Sequence, residues 1–202
     1  IVERLDRPYL GGSLFDEKAE ENLMNCNNTV YSEFIGYVQN IDMQALAHTA
    51  KAMNQPIYVQ ILPGTFVYKD TPMASFAGFP AASDQELREK YKQQIFDAIT
   101  VGKERSFEQD PRFGLTVLSE VGTRALSSAI NDPGTIIDVI GRVTRLLTLW
   151  AVRSLEPKTE PARFPQIFIK PLHDKDLLDD AFRQFGRDGA ALLEVQLRMQ
   201  KS

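Results

Sequence analysis

Six polar side chains in two short stretches carry the most chemistry in this sequence. "KERSFEQDPRFG" supplies Arg105 and Asp110, and "RALSSAINDPGT" supplies Arg124, Asn131, Asp132 and Thr135. Two arginines could hold an anionic group, while the carboxylates could handle protons or take a hard cation. The same residue types also build structure. Arginines pair with carboxylates or helix-terminal carbonyls, and Asp132 and Thr135 can satisfy the free N–H groups of a helix start. Phosphate at the second junction is disfavoured, because Asp132 already places negative charge at the positive end of the helix dipole.

Other chemical signatures are missing. The sequence has no Gly-x-x-x-x-Gly-Lys, Gly-x-Gly-x-x-Gly or Gly-x-Ser-x-Gly pattern, so nucleotide and hydrolase motifs are excluded. His48 and His173 are the only histidines and Cys26 the only cysteine. No metal-ligand spacing arises from them, and a lone cysteine makes no intrachain disulfide, which favours a reducing compartment. "PGTFVYKDTPMASF" has the glycine turn of a biotinyl or lipoyl β-domain, but Lys69 lacks the flanking residues a swinging-arm lysine needs. The sequence calls for no cofactor and no metal. Its net charge of −4, from 23 basic and 27 acidic side chains, argues against nucleic acid as a partner.

The elements that position these residues follow from periodicity. "TVYSEFIGYVQNI", residues 29–41, reads as one strand rich in β-branched and aromatic residues. Asp42 caps a helix whose stripe is Met43, Leu46, Ala47, Ala50 and Met53, with His48 off it. "PIYVQIL" and "TFVY" flank Pro63 and Gly64, the centre of a type II turn, and predict a hairpin, followed by a short strand in "MASFAGF". Ser83 and Glu86 form a capping box for a helix turning Leu87, Tyr91, Ile95 and Ala98 inward. Pro111 opens the next helix, on which Leu118, Val121, Gly122 and Ala125 share a face that Asn131 closes. Asp132 and Pro133 suit the cap and first position of a long core helix through Ile136, Ile140, Val143, Leu147 and Trp150. A proline-rich linker, a strand at "QIFIK" and a last helix burying Leu178, Ala181, Phe182, Phe185, Gly189 and Leu192 complete the chain.

The expected fold is α+β: a small β unit with one helix, about residues 29–79, packed with a mainly helical portion, about 83–200. Residues 1–28 read as a membrane-proximal connecting segment, and 29–202 as a single extramembrane domain. The most hydrophobic segment, residues 136–152, is interrupted by Asp138, Arg142 and Arg145, so it does not read as a bilayer span. A start at Ile1 without methionine or signal pattern suggests a piece of a longer protein.

"GYVQNID", "PGTFV" and "VGKERSFEQDPRFGLTVLSEVGTRALSSAINDPGT" together resemble, in order and spacing, a family of bacterial predicted membrane proteins called domain of unknown function 2254. The resemblance runs from about Gly36 to Trp150. It departs at Ser128, where the family has proline, at Ile136, where it has alanine, and at Ser106, where a threonine is replaced with its hydroxyl kept. The resemblance implies transmembrane helices upstream of Ile1. It further implies an inner-membrane protein whose extramembrane domain, placed by the lone cysteine on the cytoplasmic side, contacts its own transmembrane region. It brings no reaction with it. Two functions stay open: an assembly, binding or regulatory domain, expected to form a homo-oligomer through helix faces with small residues at Gly122 and Gly141, and a ligand-sensing or enzymatic domain working at the polar junction of Arg105, Asp110, Arg124, Asn131 and Asp132 on an unknown small ligand.

Overall fold

Among the described residues, short β-branched runs between turn residues make eight strands, and longer apolar-periodic runs make the helices around them. The computed structural model describes residues 8–78, 85–155 and 161–202. The fold is α+β, and the chain divides into two compact units: a β-rich unit of residues 7–110 and 158–171, and a helical unit formed mainly by residues 111–157 and 172–202.

In the β-rich unit, β1 (Gly12–Leu14) and α1 (Glu17–Met24) precede β2 (Asn28–Tyr31) and β3 (Gly36–Ile41). After α2 (Met43–Met53) come β4 (Ile57–Val59), β5 (Phe66–Val67) and β6 (Pro72–Phe76), then α3 (Gln85–Asp97) and β7 (Ile99–Gly102). A distant strand, β8 (Phe164–Ile169), joins this unit. One sheet has the order β1-β8-β4-β6-β2 and a second the order β5-β3-β7. Strands therefore arise outside residues 29–79: β1 and α1 fill much of the expected connecting segment, and β7 and β8 come from the portion read as mainly helical.

Two sequence expectations fail here for physical reasons. Residues 29–41 are two strands in different sheets, because Ser32 leaves the ladder: its N–H donates to the Thr71 carbonyl at 2.9 Å and its carbonyl accepts from Asp70 N–H at 3.0 Å. The Pro63-Gly64 turn forms, but its flanks do not pair as a hairpin. Ile57, Tyr58 and Val59 of β4 are all buried, and a strand covered on both faces fits a sheet interior. It lies between antiparallel β6 and parallel β8, while β5 pairs with β3.

Asp42 caps α2 as expected, accepting from Gln44 N at 3.0 Å and Ala45 N at 2.9 Å. Met43, Leu46, Ala50 and Met53 are buried, and His48 is exposed. On α3, Tyr91 and Ile95 are buried, but Leu87 is exposed; Ser83, its expected cap, lies outside the described residues.

The helical unit contains α4 (Pro111–Ala125), α5 (Pro133–Leu155), α6 (Asp174–Asp188) and α7 (Leu193–Gln200). Its core gathers Leu115, Ile136, Ile140, Val143, Leu177, Ala181, Phe185 and Val195. Gly122 is consumed inside this unit: a Cβ there would stand 2.5 Å from Ile136 Cδ1 and 2.6 Å from Phe185 Cε1. The single last helix of the sequence reading is two helices. Gly189 ends α6, its N–H donating to Phe185 O at 2.8 Å, and Leu192 starts α7. The inward frame is Leu177, Ala181 and Phe185, which leaves Leu178 exposed.

Candidate functional site

The loop after β7 folds back on the strands before it. Arg105 Nε and Nη2 donate to Asp110 Oδ2 at 2.8 and 2.7 Å. Only 1% of the Asp110 side chain is exposed, against 22% for Arg105. A carboxylate this deep loses its hydration at a cost of several kcal/mol unless a cation and further hydrogen bonds replace it, so Arg105 is a structural requirement of the carboxylate. The Asp110 carboxylate lies directly against Gly64, where any Cβ would overlap it. Gly64 has φ of +86°, and Thr65 N–H donates to Leu62 O at 3.0 Å, as the type II turn requires.

The rest of the loop is bound to β3. Gln109 Oε1 accepts from Ile41 N–H at 2.8 Å, and its Nε2 donates to Ile41 O at 3.2 Å; the side-chain amide thus stands in for a neighbouring strand. Gln39 Nε2 donates to Glu104 O at 2.7 Å, and Gly64 N–H to Val38 O at 2.7 Å. Ser106 Oγ accepts from Glu108 N–H at 3.2 Å, the role expected of its hydroxyl. The "GYVQ", "PGTFV" and "ERSFEQD" stretches therefore meet in one interlocked node, with a carboxylate turned away from solvent.

In the helical unit the second junction is open. Helix α4 ends at Ala125, whose carbonyl accepts from Asp132 N–H at 2.8 Å. Asn131 takes the left-handed conformation at φ +46°, which asparagine tolerates well. Asp132 then caps α5: Oδ1 accepts from Thr135 N–H at 3.1 Å and Oδ2 from Thr135 Oγ1 at 2.6 Å. The Thr135 hydroxyl, with the Thr135 and Gly134 amides, holds the Asp132 carboxyl below its ordinary value of 3.8. Arg124 is exposed; its carbonyl accepts from Ser127 N–H at 3.1 Å, and its guanidinium makes no hydrogen bond or ion pair among the described residues.

The six sequence-selected residues thus fall into two sets. Arg105 and Asp110 pair within the β-rich unit, while Asp132 and Thr135 pair within the helical unit beside Asn131 and Arg124. Sequence reasoning missed Arg112, which bridges α4 to α6 through Asp180 at 2.5 Å and Asp176 at 3.3 Å. The i, i+4 spacing of those two carboxylates was the available signal. Trp150 is buried on the core helix as read, but its polar partner was missed: Nε1 donates to Asp174 Oδ1 at 2.7 Å. Burial pushes the Cys26 thiol up, so it is a poor nucleophile. Among the described residues no group of His, Cys, Asp and Glu is arranged to hold a metal, and no helix is long and apolar enough to cross a membrane.

Comparison with known proteins agrees with the interlocked motifs. An uncharacterized protein of Mycobacterium bovis and two from strains of Mycobacterium tuberculosis are each 31% identical over 127 residues, covering 59% of this chain. The match spans 23% of the length of each of those relatives. No solved structure matches the chain. A family described as predicted membrane proteins, domain of unknown function 2254, matches residues 12–202. Its match takes in both the node around Asp110 and the helix junction at Asp132, and the chain belongs to that family.

Proposed function

We infer that this chain is an extramembrane assembly, binding or regulatory domain of a bacterial inner-membrane protein, facing the cytoplasm and joined to its own transmembrane region. One observation carries the reading: the polar residues most suited to chemistry have structural tasks. Arg105 neutralises a buried carboxylate on a glycine turn, and both oxygens of Asp132 accept from Thr135. Gly122 is filled by its own unit, so homo-oligomerisation would use other surfaces. Light scattering of the purified chain over a concentration series tests the assembly role. A strict monomer that binds neither its transmembrane region nor any cell protein overturns it. Fluorescent-protein and phosphatase fusions after Ser202 in the full-length protein report orientation; phosphatase activity there overturns the cytoplasmic placement.

The second reading is a ligand sensor or enzyme, and the exposed, unpaired Arg124 beside the left-handed Asn131 favours it. An anion or metal that raises the melting temperature of the parent protein but not of Arg124→Ala or Asp132→Asn would place this reading first.

A further inference from the structure

The five-stranded sheet ends on β2, which among the described residues pairs on one side alone, with β6. Its other edge borders a cleft of about 580 Å³, lined by the consecutive residues Thr29, Val30, Tyr31 and Ser32. Side chains of a strand alternate between two faces, so a cleft reached by four residues in a row runs along the strand's edge and not over one face. The opposite wall is α3, which contributes Glu89, Lys92, Gln93 and Phe96, spaced i, i+3, i+4 and i+7 on a single helical face. Of the terminal strands β1, β2, β5 and β7, only β2 lines this groove.

The direction of the β2 main chain follows from its neighbours. Gln60 N–H donates to Met73 O at 2.9 Å. Main-chain groups alternate sides along a strand, so Ser75, two residues on and in register with Tyr58, also faces β4. Ala74 and Phe76 are left to bond β2, where their partners are Val30 and Asn28. Thr29 stands opposite Ser75 with the two hydroxyls 2.9 Å apart; it belongs to the closely spaced, non-bonded kind of pair and turns its N–H and carbonyl away from β6. Past the bulge at Val30 and Tyr31, Ser32 bonds Thr71 and Asp70 through its N–H and carbonyl, so those of Tyr31 point outward as well. No main-chain hydrogen bond among the described residues reaches Thr29 or Tyr31 from the groove side.

A row of open strand N–H and carbonyl groups is complemented by another extended main chain. We propose that the groove between β2 and α3 takes an extended peptide segment of a partner protein as a sixth strand of this sheet. The groove selects a single segment over a second copy of this chain, whose β2 would bring its own α3 to the same space. Glu33, Lys69 and Asp70 border the groove at its loop end, and their side chains make no hydrogen bond or ion pair among the described residues. Lys92, by contrast, is paired with Glu89 at 3.1 Å. Two carboxylates against one amine fit a segment with a basic residue at that end. The inference rests on the binding role proposed above and names its site and the chemistry of its partner.

The test titrates fluorescent six-residue peptides of alternating valine and threonine, ending in lysine, glutamine or glutamate, into the 202-residue chain. The lysine-ended peptide binds tightest. Methylating one alternate set of its main-chain nitrogens abolishes binding and methylating the other set does not, because only one set faces β2. Hydrogen exchange followed by NMR slows at the Thr29 and Tyr31 amides when the peptide is bound. Tyr31→Pro, which deletes an outward N–H and leaves the β6 ladder alone, weakens binding about fivefold, the equivalent of one main-chain hydrogen bond. Glu33→Lys, at an exposed position, reverses the preference between lysine and glutamate ends, and it carries the test if Tyr31→Pro misfolds by circular dichroism. Absence of binding by every peptide, binding indifferent to methylation, exchange protection elsewhere than β2, or a dimer that Tyr31→Pro abolishes would each overturn the proposal, the last by making a second copy the occupant. Light scattering keeps the two readings apart: a chain that assembles but ignores the peptides loses the groove and keeps the binding role.

Discussion

The chain uses the step Asp-Pro twice, at Asp110-Pro111 and at Asp132-Pro133, and both times the proline is the first residue of a helix. The proline has the same reason each time, since the first helical N–H needs no partner. The two carboxylates have opposite fates. Asp132 turns forward onto the amide and hydroxyl of Thr135 and stays in water. Asp110 turns back to Arg105 and the Gly64 turn and is buried. A dipeptide therefore fixes where a helix begins, while the partner each carboxylate turns to, Thr135 three positions on or Arg105 five positions back over the distant Gly64, decides what its charge is for.

The largest effect should come from breaking the buried member. Arg105→Ala leaves the Asp110 carboxylate without its cation, and urea melts should show a loss of about 3 kcal/mol; unchanged stability would erase the distinction drawn between the two aspartates. Next is Gly64→Ala, which forces a side chain onto a positive φ and onto the carboxylate, costing about 2 kcal/mol. In a double-mutant cycle the Gly64→Ala cost should shrink in an Asp110→Ala background, because the overlap is gone. Additive costs would mean that the two residues do not share a site.

Asp42 provides a reference for an exposed cap, and Asp42→Ala should cost about 1 kcal/mol. The smallest effect is expected of Asp132→Asn, which keeps an acceptor for the Thr135 amide. Its acid behaviour carries the sign. Because the folded carboxyl titrates below 3.8, the charge contributes stability above that pH and loses it as pH falls through the lowered folded value. The stability difference between parent and Asp132→Asn should therefore hold at neutral pH and shrink progressively as the pH falls below 3.8, measured by thermal melts from neutral pH into the acid range. If Asp132→Asn folds normally but abolishes function of the full-length protein in cells, the exposed aspartate is a working site.

The legible parts of the sequence were those settled by near neighbours. Asp42 over Met43, Pro63-Gly64 as a turn, and Asp132 over Thr135 each involve residues a few positions apart, and each is found as read. Partner choice was illegible where the partner was remote. Nothing near residues 57–59 says that β4 lies beside β8, more than a hundred residues later. Arg112 and Asp180 are separated by 68 positions. The Gln109 amide was hidden for a different reason: a glutamine in a loop carries no periodicity, and its role exists only once β3 offers an N–H and a carbonyl at the right spacing.

The position of β8 has a consequence for biosynthesis. In sequence it lies between α5 and α6 of the helical unit, yet in the five-stranded sheet it is the neighbour of both β1 and β4. As the chain emerges from the ribosome, β1 has no strand to pair with, and β4 presents a bare edge on one side, until residues 164–169 arrive. The first hundred residues must wait through the synthesis of α4 and α5 with an open, apolar strand edge, the kind of surface to which chaperones and stray chains attach.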